Sequence, residues 1–67
     1  MITVNGNEAQ LPVGARIVDV LDALGVEPGR RGVAIAIDGE VVPRAEWPRH
    51  PVPEGARVEA LTAMQGG

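Results

Sequence analysis

The sequence closes on Gly66-Gly67, and the terminal carboxylate of Gly67 is the group best placed to react with another molecule. Glycines have no side chain, so such an end can thread a channel too narrow for any other residue. Glycines also cost the most entropy to hold still, so the free end is expected to move until a partner orders it. The four residues Met64, Gln65, Gly66 and Gly67 form the expected functional tail. Fully extended they reach at most ~14 Å, enough to carry a carboxylate into a partner's pocket. That carboxylate, with an ordinary pKa of ~3.5, is ionised at neutral pH and is a poor acyl electrophile. Acyl chemistry at Gly67 therefore requires activation by a partner, most directly adenylation with ATP. Alone, two glycines at a terminus describe an ordinary frayed end; the pattern of the chain before them gives them meaning.

Other chemistry is sparse. There is no cysteine and a single histidine, His50, so neither thiol chemistry nor a zinc site can be assembled. His50 has no cysteine, carboxylate or second histidine at ligand spacing and reads as a solvated loop residue. No Ser/His/Asp set or pair of catalytic carboxylates is recognisable, and Gly29 to Gly32 is too short for a phosphate loop and precedes a strand. The expectation is a protein that is not an enzyme, with no catalytic residues, bound cofactor or metal of its own. The net charge of −3, with arginine as the only cation and one aromatic residue, argues against nucleic acid as a partner. No apolar run approaches the ~20 residues that span a bilayer, and no basic-then-apolar signal follows Met1. No membrane partner is expected, and the cytoplasm is the default location.

Sixty-seven residues make one small domain, and a chain of this size buries only roughly 60% of its unfolded surface. Without disulfides, its stability must come from aliphatic packing, which 45% hydrophobic residues make feasible. Ile2 and Val4 alternate with Thr3 and Asn5, the period of a half-buried strand. Asn5-Gly6 suits a tight hairpin turn, and Glu8 to Pro12 reads as the returning strand with Leu11 inward. From residue 17 to 24 the period changes. Ile17, Val20, Leu21 and Leu24 fall on one helical stripe, with Asp19 and Asp22 off it. Gly25 suits a left-handed C-terminal cap. Arg16 is a weak N-cap, which Asp19 in the first turn offsets through the helix dipole.

A polar loop covers residues 26–32, in which Arg30-Arg31 reads as solvated. Val33, Ile35 and Ile37 then alternate with Ala34 and Ala36, Asp38-Gly39 repeats the hairpin signal, and Glu40-Val41-Val42 returns. Pro43, Pro48, Pro51 and Pro53 leave room for at most a helical turn around Ala45-Glu46-Trp47. Pro53-Glu54-Gly55 turns into a last strand from Ala56 to Ala63. Hairpin, helix, hairpin, proline-rich loop and final strand add up to an α+β fold of β-grasp (ubiquitin-like) type. It has a mixed sheet of four to five strands with one helix packed across one face. The first and last strands run parallel at the sheet centre. The expected division is a domain over residues 1–63 and a tail over 64–67. Because the helix covers one face, the other is open, and its small or apolar residues Ala34, Ala36, Leu61 and Ala63 form a candidate partner-docking surface.

The residues from Gly32 to Trp47, with Val42-Pro43-Arg44 and Trp47 at their heart, resemble the central signature of the ThiS family. Val4-Asn5-Gly6, Pro12-Val13-Gly14 and the closing Met64-Gln65-Gly66-Gly67 are similar to that family too, so the resemblance spans the chain. Two features depart from it: Arg16 stands where the family commonly has Thr, and residues 49–53 are unusually rich in proline. The resemblance implies a sulfur carrier of thiamine biosynthesis. A ThiF-type adenylyltransferase would consume ATP to adenylate Gly67. A sulfur donor such as a cysteine desulfurase would then leave a thiocarboxylate, and thiazole synthase (ThiG) would take the sulfur. The rival readings are the small subunit of molybdopterin synthase and a ubiquitin-like protein modifier, which share the fold and tail. A β-grasp binding domain with an incidental Gly-Gly is the plainest alternative. Trp47, the only aromatic residue, is expected to anchor the proline-rich loop on the sheet, and Arg44 to act locally.

Overall fold

The computed structural model describes residues 1–27 and 29–62. Strands β1 (Ile2–Val4) and β2 (Asn7–Ala9) pair antiparallel, with Val4 opposite Asn7 and Ile2 opposite Ala9. The two residues between them, Asn5 (φ 52°) and Gly6 (φ 83°), both take positive φ. A two-residue type I′ turn requires this, and its twist matches that of the strands. The second hairpin repeats the device: Asp38 (φ 51°) and Gly39 (φ 86°) join β3 (Val33–Ile37) to β4 (Glu40–Val42).

The return strand of the first hairpin is Asn7–Ala9, not Glu8 to Pro12. Ala9 already stands opposite Ile2, the first residue of β1, so nothing remains for a longer β2 to pair with. Leu11 nevertheless packs, partly buried, against the core.

Helix α1 (Ile17–Leu24) buries Ile17, Val20 and Leu21 completely. The Asp19 carboxylate accepts the Arg16 backbone N–H at 2.8 Å, so the acid does more at the N-terminus than a dipole interaction and supplies half of a capping box. At the other end Gly25 (φ 72°) turns left-handed, its N–H bonding Asp22 O while the Val26 N–H bonds Leu21 O. This is the Schellman pattern. It also explains why Leu24, at the edge of the stripe, is 43% exposed. The chain folds back at Gly25 and packs Val26 against the core instead.

The proline-rich stretch contains a single 3-10 turn at Arg44–Glu46. Beyond it the loop braces the start of the helix: Ile17 N–H donates to His50 O at 3.1 Å and Val52 N–H to Ala15 O at 2.9 Å. Val52, Ala15 and Trp47 are buried there.

The last strand, β5 (Arg57–Thr62), enters between the hairpins, giving the sheet order β2-β1-β5-β3-β4. It runs parallel to β1 and antiparallel to β3. One helix over a five-stranded mixed sheet is the expected β-grasp. Ile2, Val4, Ile35, Ile37 and Val58 meet the helix stripe in one aliphatic core, and no polar or charged side chain is buried among the described residues.

Candidate functional site

The pairing of β5 decides where the last described residue, Thr62, stands in the sheet. Parallel pairing with β1 sets its C-terminal half beside the Asn5-Gly6 turn, and antiparallel pairing with β3 places Thr62 opposite Val33. The strand is held on both edges, and Thr62 is the last described residue. Met64, Gln65, Gly66 and Gly67, and with them Ala63, lie outside the described residues.

Strand alternation separates the two faces of the sheet. Ile35, Ile37 and Val58 point to the helix, so Ala34, Ala36, Glu59 and Leu61 lie on the open face. Register brings them together: Ala34 stands opposite Leu61, and Ala36 stands between Glu59 on β5 and Val41 on β4. Leu61 is 68% exposed and Val41 72% exposed, while the alanines keep the surface between them low. Together these five residues line a shallow depression. Three of the four residues expected on this face are therefore neighbours.

Val41 was not foreseen. Two adjacent valines do not by themselves show which one faces out; Val42 points inward and Val41 stands opposite Ala36. The pairing of β4 with β3 was legible, and extending the alternation across it would have found Val41.

The Val-Pro-Arg-x-x-Trp element lies apart from this surface and is structural. Trp47 is buried, and its indole Nε1–H donates to Val42 O at 3.0 Å. The Arg44 guanidinium lies 4.5 Å from the Trp47 ring centroid, within cation–π range, and its Nη2 donates to Arg30 O at 2.6 Å. Arg44 thus clasps the 26–32 loop to the proline-rich loop, the local role expected for it. His50 places Nδ1 at 2.9 Å from Pro51 O and shares a depression with Asp38 and Glu40. No cluster of three His, Cys, Asp or Glu side chains able to hold a metal occurs among the described residues. Among those residues, no helix is long and apolar enough to cross a membrane.

The described residues thus place the central strand β5, ending at Thr62, beside an open face that exposes Leu61 and Val41. Residues 2–67, the tail included, match the model of the ThiS family. The chain belongs to the ThiS family. Over all 67 residues of both proteins it is 36% identical to the sulfur carrier protein ThiS of Thermus thermophilus. The protein of the same name from Escherichia coli is 29% identical over 66 residues, covering 98% of this chain and 97% of that one. The crystal structure of the thiamine biosynthesis protein ThiS from Geobacter metallireducens superposes with a TM-score of 0.77 at 31% identity, covering 98% of this chain and 97% of that one. The solution structure of the same target gives a TM-score of 0.78, covering 98% of this chain and 86% of that one. At Arg16 the Asp19 carboxylate accepts the backbone N–H, a bond independent of which side chain stands there.

Proposed function

We propose that this ThiS-family chain is a sulfur carrier of thiamine biosynthesis that works through the carboxylate of Gly67. The observation that carries the reading is the family match, which runs without interruption through the fold and the terminal Gly-Gly. The chain has no cysteine, so no thiol side chain can hold the sulfur.

The chemistry follows from the low reactivity of a carboxylate. A ThiF-type adenylyltransferase joins a Gly67 carboxylate oxygen to the α-phosphorus of ATP and expels pyrophosphate. AMP is then a good leaving group on the acyl carbon. A persulfide, supplied by a donor such as a cysteine desulfurase, attacks that carbon through its terminal sulfur and displaces AMP. A thiol then takes the donor's remaining sulfur into a disulfide, and the thiocarboxylate leaves on Gly67. Sulfur is the better nucleophile, so the charged carrier attacks an acceptor held by thiazole synthase (ThiG); water then cleaves the resulting thioester, leaving the sulfur on the acceptor and returning the Gly67 carboxylate for another round. The protein is a recycled co-substrate that needs no pocket of its own. ATP is consumed by the partner.

Intact mass is the direct test. Incubated with ATP, a persulfide donor and a ThiF-type enzyme, the protein is expected to gain the mass of one oxygen exchanged for sulfur. No gain with an enzyme active on its own carrier would overturn the reading. A charged protein that supports molybdopterin but not thiazole formation would redirect it to the molybdopterin synthase subunit.

The open sheet face is the proposed docking surface for the activating enzyme. The low Ala34 and Ala36 surface lets a partner approach closely, and Leu61 and Val41 offer apolar anchors. Leu61→Glu is expected to leave the melting temperature nearly unchanged, because the side chain is already exposed. It should weaken binding to the activating enzyme by roughly tenfold or more, the effect of losing an interface anchor and setting a charge against an apolar surface. Titration calorimetry checks this, and unchanged affinity would remove the face from the proposal.

A further inference from the structure

The ladder between β1 and β5 is short. Thr3 pairs with Arg57 and Val4 with Val58, and the last backbone bond runs from Asn5 N–H to Val58 O at 2.9 Å. The chain then turns away at Asn5, whereas β5 continues for four more residues. The next groups on this edge of β5 are the N–H and C=O of Ala60, two residues beyond Val58. Both are taken by one side chain. Asn5 Oδ1 accepts the Ala60 N–H at 2.8 Å, and Asn5 Nδ2 donates to Ala60 O at 3.2 Å.

A primary amide is the side-chain group that offers an acceptor and a donor side by side, as a backbone strand would. Asparagine is also, after glycine, among the residues most tolerant of the positive φ found here. The two demands meet at residue 5. On its other edge β5 remains paired with β3 as far as Thr62 opposite Val33. The Asn5 amide therefore extends the grip on the first edge to within two residues of Thr62.

We propose that Asn5 is a positioning residue for the chemistry at Gly67. Its amide fixes Ala60, two residues before Thr62, and so sets where the described strand ends and the reach to Gly67 begins. The inference rests on the sulfur-carrier reading. Five residues span at most ~17 Å, so a shift of the strand end at Ala60 to Thr62 moves the point from which the reacting carboxylate must reach a partner's site. Misplacement of about 1 Å is enough to cost up to ~10²-fold in rate.

The test compares the native chain with Asn5→Gly, which keeps the positive φ and the turn but removes the amide. Asn5→Asp is measured in parallel; it keeps an acceptor for the Ala60 N–H but sets a second acceptor against the Ala60 carbonyl. Three quantities are read below the melting range: hydrogen exchange at the Ala60 amide, affinity for a ThiF-type enzyme, and the single-turnover rate of adenylation with ATP. For Asn5→Gly, Ala60 exchange is expected to quicken while the Ala34 and Ala36 amides stay protected. Affinity should remain within about twofold, because the docking face is untouched, and adenylation should slow roughly tenfold. Asn5→Asp should fall between Asn5→Gly and the native chain.

A role confined to stability lowers the melting temperature and leaves the single-turnover rate unchanged. An unchanged rate with quickened Ala60 exchange overturns the proposal, as does a loss confined to affinity. A native chain that is not adenylated at all fails at the earlier step, removing the carrier reading and this proposal with it.

Discussion

Deletion of Gly67 is expected to abolish sulfur loading while leaving the fold intact. Shortening the chain by one residue retains a carboxylate, now on Gly66, but withdraws it by about 3.5 Å. Activation requires the carboxylate oxygen in line with the α-phosphorus of ATP, and acyl transfer requires the same carbon in reach of a persulfide. At up to ~10²-fold for about 1 Å of misplacement, such a displacement should cost at least two orders of magnitude in rate. A C-terminal tag should act as strongly by a different route, since it converts the carboxylate into an amide with no anionic oxygen to adenylate.

Neither change touches the buried core of the described residues, which runs from Ile2 to Val58. Melting temperatures within a few degrees of the native value are therefore expected, and intact mass after reaction should show no sulfur. If either variant still acquires sulfur at the native rate, Gly67 is not the site.

Trp47→Ala is expected to lower the melting temperature by about 12–40 °C, at 4–8 °C per kcal/mol. The ring is 3% exposed and is the largest side chain in an otherwise aliphatic core. Its loss should cost about 3–5 kcal/mol in transfer and cavity terms. The Val42 carbonyl also loses the indole N–H, and Arg44 loses the ring it covers. A domain of this size has on the order of 3–10 kcal/mol of stability in all, at 0.05–0.15 kcal/mol per residue.

Trp47→Phe separates the contributions. It keeps an apolar ring but leaves the Val42 carbonyl without its donor, which should cost about 1–3 kcal/mol. At 4–8 °C per kcal/mol, that lowers the melting temperature by roughly 5–20 °C. Circular dichroism melting of both variants checks the ordering. A Trp47→Ala protein that melts within a few degrees of the native chain would contradict the anchoring role. Loading of folded Trp47→Phe by the activating enzyme should be near native, because Trp47 is buried in the core and not on the open face.

What the sequence determined by itself was whatever depends on near neighbours along the chain. Alternation in Ile2-Thr3-Val4 and Val33 to Ile37 specified strands, the three-and-four spacing of Ile17, Val20 and Leu21 specified the helix, and Asn5-Gly6 and Asp38-Gly39 specified their turns. That Gly67 carries the chemistry is proposed from the sequence and its family resemblance, since residues 63–67 lie outside the described residues.

Tertiary structure decided the features that join residues far apart. It ended β2 at Ala9 because β1 has no further residue to pair, and it turned Leu24 outward because the chain reverses at Gly25. It buried Val52 against the helix start through a loop in which the prolines hide any period. It gave Val42 to the core and Val41 to the open face, a division set by pairing with β3. It also carried the Asn5 amide to Ala60, 55 residues along the chain, where it holds the strand that leads to the glycines. Local patterns encode which element a residue joins. Which residues meet is fixed only when the parallel strands β1 and β5 close the sheet between them.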